Sequence, residues 1–471
     1  MMKNIFKSMI FISVISIAWA NYGNAQNEIQ QQSQPSHLPS SQSPPFQDDF
    51  PLFPDEYEPV EATYRPQAYQ EESNLSAILD TRLGIRTQSS IHQDEFSIGE
   101  ARLQFKYEHK VEAMTFNASA DLVVDPILDQ YDIRLKDGTG LIDIRKLNLT
   151  FIPSDYMDLI LGRQTLSWGT GDLMFINNLF PKDWQALFIG RDESYFNAPT
   201  DAVKLGFYSM FMNMDLVYVP WFDRDRIPSG ERFGYYNSVS GQRVGQNQVM
   251  DFEKRDDLFD DDEWATRLYN TFGDLELALY TYYGYWKSPG GIEPFSWKRT
   301  YPRLNVYGFS AQGPVAHGMA CFEMGLYESR DDKAGGNPYI NNSQLRLLFG
   351  YRFDLPNQMQ LSTQYYIEIM RDHQKYQESL AEDSPPNDEG RHVITVRLTR
   401  QLTHPNIHMS LLTYYCPTDT DLYARPTIQY IFDNNFTLLT GANIFVGNED
   451  HTHWGQYERD SNIYVGMQYR F

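Results

Sequence analysis

The chain ends with SNIYVGMQYRF, residues 461–471. Side chains alternate between the two faces of an extended strand, so every second residue from Ile463 to Phe471 lies on one face. That face is wholly apolar or aromatic, whereas the opposite face carries Gln468 and Arg470. Such a strand at the edge of a soluble sheet would promote aggregation. In lipid it can pair with the first strand and close a barrel, so the ending predicts a transmembrane β-barrel.

The composition agrees with this prediction. The 471 residues are 41% hydrophobic and 15% aromatic, and beyond the N-terminus they contain no apolar run long enough for a spanning helix. Abundant Tyr and Phe suit the aromatic girdles of a barrel. The net charge of −23 argues against nucleic acid as a partner. The two cysteines, Cys321 and Cys416, are predicted on non-neighbouring strands, which disfavours a disulfide.

Residues 1–20 are predicted to be a secretory signal peptide. Lys3 and Lys7 precede a short apolar run, and small residues follow at Ala18 and Ala20. Cleavage after Ala25 is the alternative. The sequence therefore predicts export.

Residues 21–74 are rich in proline, glutamine and acidic residues, which predicts a mostly disordered periplasmic linker. An alternative is that its scattered aromatic residues dock in the barrel mouth or on a partner. The barrel itself is predicted to span residues 75–471.

From Leu75 onward the chain repeats alternating segments joined in turn by short and long connections. This pattern predicts an all-β antiparallel barrel of eighteen strands, with sixteen as the alternative. Short turns face the periplasm and long loops face outside in this class. The predicted strands are 75–88, 96–108, 112–124, 141–152, 157–166, 202–211, 214–222, 264–272, 275–286, 303–313, 318–328, 344–354, 358–370, 391–403, 407–416, 423–432, 436–446 and 462–471.

One of these strands has an irregular pattern. In residues 141–152 the apolar face changes near Arg145, which predicts a β-bulge at that position.

The faces opposite the apolar ones are predicted to line a pore. The charged candidates are Arg82, Arg86, Arg102, Lys106, Arg346, Arg352, Arg397, Arg425, Glu323 and Glu368. Guanidinium groups bind carboxylate and phosphate well, so an arginine-rich lumen would suit an anionic solute. The alternative is that these arginines pair with acidic loops and only stiffen the barrel.

A long segment after the strand at 157–166 is a candidate constriction loop. It follows Gly162-Arg163-Gln164 and continues to Pro199, and the residues proposed to act there are Arg163, Gln164, Trp168, Trp184 and Arg191. The segment could fold into the pore and narrow it, or it could form an external cap.

Two features carry a resemblance to known families. The alternating C-terminal strand that ends in Phe471 resembles the closing strand of Gram-negative outer-membrane proteins. Gly162-Arg163-Gln164 at a strand end is similar to a signature of the alginate-export type of channel. That resemblance implies an eighteen-stranded barrel with an arginine-rich conduit for an acidic polysaccharide. The residues that follow, Ser167-Trp168-Gly169, depart from the basic-acidic run expected there.

The function predicted from these patterns is that of a porin-like channel in the bacterial outer membrane. It would pass small or polymeric solutes, anionic ones among them, without catalytic residues, metal or cofactor. Its expected partners are the bilayer with lipopolysaccharide, the hydrophilic solute and the assembly machinery, which would act through the C-terminal strand. The alternatives are a structural or adhesive barrel with a closed lumen and, less favoured because no Gly-x-Ser-x-Gly elbow occurs, an outer-membrane hydrolase.

Overall fold

The computed structural model describes residues 72–90, 92–136, 138–172, 174–381, 384–403 and 406–471. The predicted signal peptide and nearly all of the predicted linker lie outside these residues. The described chain is dominated by one antiparallel sheet of eighteen strands.

We number the strands of this sheet in chain order. They are β1 (Glu72–Arg86), β2 (Phe96–Val111), β3 (Met114–Val124), β4 (Ile142–Ser154), β5 (Met157–Gln164), β6 (Thr200–Phe207), β7 (Asn213–Val219), β8 (Glu263–Phe272), β9 (Leu275–Tyr285), β10 (Arg303–Val315), β11 (Gly318–Ser329), β12 (Gln344–Leu355), β13 (Met359–Met370), β14 (Gly390–Leu402), β15 (Ile407–Cys416), β16 (Asp421–Ile431), β17 (Phe436–Val446) and β18 (Asn462–Arg470). The prediction of eighteen strands is confirmed, and the alternative of sixteen is wrong.

The sheet closes on itself. Each strand pairs with its neighbour in sequence, and β18 pairs with β1 over a register that runs from Ile78 opposite Arg470 to Arg86 opposite Asn462. Closure leaves no free sheet edge, which is the condition for a sheet to cross a bilayer. The C-terminal strand has the closing position that its alternation predicted.

Short and long connections alternate around the barrel, as predicted, except that the β15–β16 connection is the four residues 417–420. Short turns include 112–113, 155–156, 273–274 and 316–317, and long connections include 125–141, 165–199, 220–262 and 447–461. The first strand begins at the end where the short turns lie, because Glu72 pairs with Lys110 beside the first short turn.

Most strand boundaries differ from the predicted ones by a few residues, and two of the differences have a clear cause. β1 begins at Glu72, inside the predicted linker, because residues 72–74 continue the pairing with β2. The second strand was predicted to end at residue 108 but continues to Val111, which still pairs with Met114, so the first turn lies at residues 112–113.

The outer face of the barrel is apolar. Large side chains exposed there include Leu83, Phe105, Leu279, Phe349 and Val465, from strands all around the ring. An apolar band on a closed sheet matches the hydrocarbon core of a bilayer. None of the helices in the described part of the chain is long and apolar enough to cross a membrane.

The bulge predicted near Arg145 is confirmed. Ser119 of β3 pairs with Lys146 and the next residue, Ala120, pairs with Ile144, so Arg145 is the extra residue in β4. A bulge places two consecutive residues on the same face of a strand, so Arg145 and Lys146 can both face the interior of the barrel.

Candidate functional site

The ten charged residues predicted to line the pore occupy inward-facing positions of their strands. Arg82, Arg86, Arg102, Arg397, Arg425 and Glu323 are buried, Arg346, Arg352 and Glu368 are partly buried, and Lys106 is exposed. Their neighbours in sequence, such as Leu83 beside Arg82 and Phe105 beside Lys106, point outward and are exposed. The strand alternation therefore brings these charges to one inner surface.

Several of these arginines face a carboxylate. The Arg82 guanidinium lies 2.7 Å from Asp80, and that of Arg86 lies 3.0 Å from Asp460. Both arginine side chains are almost fully buried. The attraction between the two charges of each pair compensates for the solvation that they lost on burial. The positive charge of the inner wall is consequently smaller than a count of its arginines suggests.

Some inner-wall carboxylates were not predicted from the sequence, among them one on β3 and one on β4. Asp121 of β3 and Asp143 of β4 are both buried. Arg102 lies 2.6 Å from Asp121 and 3.5 Å from Asp143. Asp143 also accepts two hydrogen bonds from Arg226, at 3.1 and 3.2 Å, so a residue of the connection 220–262 reaches the barrel wall. Both aspartates lie in predicted strands at inward positions, so the period-two pattern contained the signal.

The connection between β5 and β6, residues 165–199, lies inside the barrel, and we call it the crossing segment. Its one turn of helix, α1 (Trp184–Phe188), places Phe188 among aromatic rings of the wall. The Phe188 ring packs edge-on against Tyr423 at 5.5 Å and Phe445 at 5.1 Å between centroids. The interior thus holds a small hydrophobic core of its own.

On one side the crossing segment is attached to Glu323 of β11. Oε1 of this carboxylate accepts from the backbone N–H groups of Thr170 and Gly171, the latter at 2.7 Å. Oε2 accepts from the backbone N–H of Asn177 at 3.1 Å and from its side-chain amide at 2.9 Å. Gly169 has a φ of +87°, and a Cβ there would lie 2.8 Å from the carboxylate. Glycine at this position therefore lets the backbone approach Glu323 closely.

On the opposite side the segment is attached through Arg191. Its Nε donates to Oε1 of Glu100, on β2, at 2.9 Å, and its Nη2 donates to the other oxygen. Its Nη1 lies 3.2 Å from Asp183, which also caps α1 by accepting from the backbone N–H of Ala186. Bidentate pairing of this kind fixes geometry as well as charge.

Tyr195 adds a second attachment on that side. Its hydroxyl donates to Asp121 at 2.9 Å and accepts from Gln104 at 2.7 Å. The guanidinium groups of Arg102 and Arg145 each lie 4.9 Å from the centre of its ring. Cations over an aromatic face are attracted to it. Sequence patterns gave no sign of this residue's position.

Arg163 and Gln164, two constriction-loop candidates, join the end of β5 to neighbouring backbone. Arg163 pairs with Asp201 at 2.9 Å and donates to the Lys136 carbonyl, and Gln164 donates to the Ala202 carbonyl at 3.0 Å. The polar atoms of these two side chains therefore form hydrogen bonds and an ion pair with groups close to the wall.

The two tryptophan candidates belong to the internal core. Trp168 packs edge-on against Phe180 at 4.9 Å, and Trp184 packs edge-on against Phe196 at 5.1 Å. Of the five constriction-loop candidates, Arg191 is the one that forms an ion pair with β2, through Glu100.

A cavity of about 260 Å³ lies between the crossing segment and the wall from β9 to β15. Its aromatic lining includes Trp286, Tyr327, Tyr366 and Tyr414. The Arg346 and Glu368 side chains, 3.2 Å apart, contribute charge to the same lining. This cavity is a mixed aromatic and ion-paired surface in contact with the lumen.

Lys182 of the crossing segment also lines this cavity. Its ammonium donates to the Asn178 side chain at 2.9 Å and to the Phe180 carbonyl at 2.6 Å. Burial removes water from the charged form and lowers the pKa of Lys182 to about 7. Its charge therefore changes near neutral pH.

Comparison with known proteins identifies the fold. No protein-family model matches the sequence, and no curated protein matches it. Solved structures do match. OccAB4 of Acinetobacter baumannii has 10% identity, with 85% of this chain and 98% of that chain covered and a TM-score of 0.50. OpdQ of Pseudomonas aeruginosa has 11% identity, with 85% and 98% covered and a TM-score of 0.48.

The closed sheet, its apolar exterior and the match to OccAB4 define the class of fold. The chain has the fold of the outer-membrane porins and is a β-barrel of the bacterial outer membrane. At such low identity the shared property is the fold, and the chemistry of the lumen must be argued from this chain's own residues.

Proposed function

We propose that this protein is a passive channel for small hydrophilic solutes and that it prefers anions. The observation that carries the proposal is the crossing segment, which lies inside a closed barrel and is attached to opposite sides of its wall. Such a segment would leave only narrow passages between itself and the wall. Selectivity in narrow passages follows from the charges that line them.

The preference for anions rests on basic residues near the short-turn end. Lys106 of β2 and Lys146 of β4 both pair in register with Ser119, so they stand in one row across three strands. Lys146 and Arg470 add positive charge around Lys106, and Asp192 and Asp121 offset part of it. A cluster of like charges in a cleft raises the local concentration of counter-ions. Anions would therefore be enriched at this end of the lumen.

Small solutes fit this interior better than polymers. A polymer would have to displace the crossing segment, whose contacts include the buried carboxylate of Glu323 and the Arg191–Glu100 pair. The polysaccharide implied by the resemblance to alginate-export channels stays a prediction.

Planar-bilayer recording tests the proposal. The purified protein should form channels, and in a salt gradient its reversal potential should show a preference for chloride over potassium. The double variant Lys106→Gln/Lys146→Gln should reduce that preference. Lys333→Gln changes an exposed residue of the connection 330–343 and serves as the matched control, with no expected effect.

Each outcome bears on a different part of the proposal. Cation-selective channels would overturn the anion preference while leaving the channel function in place. Membranes that stay silent, with the barrel shown to be inserted, would overturn the channel function and favour a structural barrel.

A further inference from the structure

The connection between β15 and β16 brings three metal-ligating side chains together. Cys416 is the last residue of β15, Asp421 is the first residue of β16, and the two pair directly across the strands. Asp419 lies in the turn between them. One ligand atom from each of the three side chains lies within 4.8 Å of the other two. This distance requires only a small closure for all three to contact one ion.

The carboxylate of Asp421 supplies independent evidence for a cation. Its Oδ2 accepts from the backbone N–H of Trp454 at 2.7 Å, while Oδ1 is buried and has no hydrogen-bond partner among the residues that the structure describes. The nearby Thr452 hydroxyl donates instead to the Glu449 carbonyl, at 3.0 Å. A buried carboxylate oxygen without a partner is costly, and a bound cation would remove that cost.

The neighbouring charges are balanced by a divalent ion. Arg391 lies 2.9 Å from Oδ2 of Asp419, and the Cys416 thiol donates to the same oxygen at 3.1 Å. Both contacts leave the other oxygen of Asp419 for a metal. One thiolate and two carboxylates, set against Arg391 and a divalent ion, give a neutral group, which is the arrangement that burial favours.

We propose that Cys416, Asp419 and Asp421 bind a zinc-like divalent transition-metal ion. Thiolate sulfur is a soft ligand that selects zinc over calcium or magnesium, and three protein ligands with one water complete a tetrahedron. Binding releases the thiol proton to solvent, because the thiolate is the ligand. The ion would tie the β15–β16 turn to the connection 447–461 through Asp421 and Trp454.

Cadmium is the probe for the test, because a cadmium–thiolate bond absorbs in the ultraviolet whereas zinc is silent. The full-length protein in detergent is stripped with chelator and titrated with Cd²⁺. We expect one equivalent to produce the absorption, zinc to compete for it, and either ion to protect Cys416 from alkylation. Asp421→Asn should weaken binding at least tenfold, consistent with the loss of a direct ligand.

The second free cysteine provides the matched control. Cys321→Ser should bind cadmium as the unchanged protein does, whereas Cys416→Ser should lose the absorption. The heat-dependent gel mobility of the folded barrel shows that each variant is folded. The proposal is overturned by the absence of a thiolate band in the unchanged protein, by a band that survives in Cys416→Ser, or by a band lost in Cys321→Ser.

Discussion

Two opposite sides of the barrel hold the crossing segment by different chemistry. At β11 one carboxylate, Glu323, accepts backbone N–H groups from both ends of a short stretch, Thr170 to Asn177. At β2 to β4 several arginines share several carboxylates. A single arginine there, Arg102, lies within ion-pair distance of three carboxylates, which are Glu100, Asp121 and Asp143.

The difference is one of redundancy. In the described part of the chain, Glu323 is the carboxylate that accepts from these backbone N–H groups. When Glu323 is lost, all of these N–H groups therefore lose their acceptor together. In the network, Arg102, Arg191 and Arg226 each keep a carboxylate when one partner is lost. Arg145, which faces Asp143 at 3.8 Å, keeps the Asn197 carbonyl at 2.7 Å. The two sides should therefore respond differently to removal of one carboxylate, although both groups are buried.

The largest effect is expected from Glu323→Ala. Three backbone N–H groups would lose their acceptor, at a cost of about 1–3 kcal/mol for the buried one of Asn177 and less for the partly buried ones of Thr170 and Gly171. We expect a clear fall in the unfolding temperature of the barrel and a larger, noisier single-channel conductance, because one side of the crossing segment is released. Gel mobility after heating and bilayer recording measure the two quantities.

The matched variant for this change is Glu323→Gln, which keeps the shape and one acceptor oxygen. It should lie between the unchanged protein and Glu323→Ala in both measurements. An unchanged conductance in Glu323→Ala would show that the segment does not depend on this attachment.

A smaller effect is expected from Asp143→Asn on the opposite side. Arg226 keeps Asp183 at 3.5 Å, and Arg102 keeps Asp121 at 2.6 Å. The destabilisation should thus fall below the roughly 3–5 kcal/mol that follows when an isolated buried pair is broken. Conductance should stay near the original value, with anion preference slightly raised by the lost negative charge. A larger loss of stability than in Glu323→Ala would refute the difference in redundancy.

Because of Lys182, we expect the anion preference of the channel to depend moderately on pH. Burial lowers the pKa of Lys182 to about 7. Its neutral amine therefore takes up a proton and becomes a charged ammonium as pH falls from 8 to 6. Anion preference should rise over that range by roughly twofold or less, since one charge is added to a lumen that already holds many. The neighbouring charges of Asp225 and Lys287 act on it in opposite directions.

The same shift has a consequence for stability. The folded state binds fewer protons than the unfolded state between pH 7 and about 10, so this group makes the barrel more stable as pH rises through that window. Lys182→Met should remove both dependences. If its selectivity changes with pH as before, another group is responsible.

The sequence predicted the wall of this barrel well, because each strand carries its own period-two pattern. Even the irregularity at Arg145 was visible, since a bulge shifts that pattern locally. The turn at residues 112–113 was placed too early because pairing across the strands, rather than local composition, decides where a hairpin ends.

The interior was predicted less well, since long connections have no comparable period. Arg191 was a candidate, yet its partner Glu100 could not be assigned without the fold. Arg226 was not a candidate at all, although it reaches Asp143 from a long connection. Contacts between a loop and a wall are distant in sequence, so composition alone does not specify them.

Tyr195→Phe should have the smallest effect on the stability of the barrel. It tests whether the remaining contacts of the network compensate for one lost hydroxyl. The variant loses the bond to Asp121 and the bond from Gln104, a net cost of about 1 kcal/mol for each. Asp121 still accepts from Arg102 at 2.6 Å and from Gln104 at 3.0 Å. The ring would remain in reach of Arg102 and Arg145, so Tyr195→Ala should cost more than Tyr195→Phe. Equal losses of unfolding temperature in these two variants would show that the hydroxyl, and not the ring, holds this side of the segment.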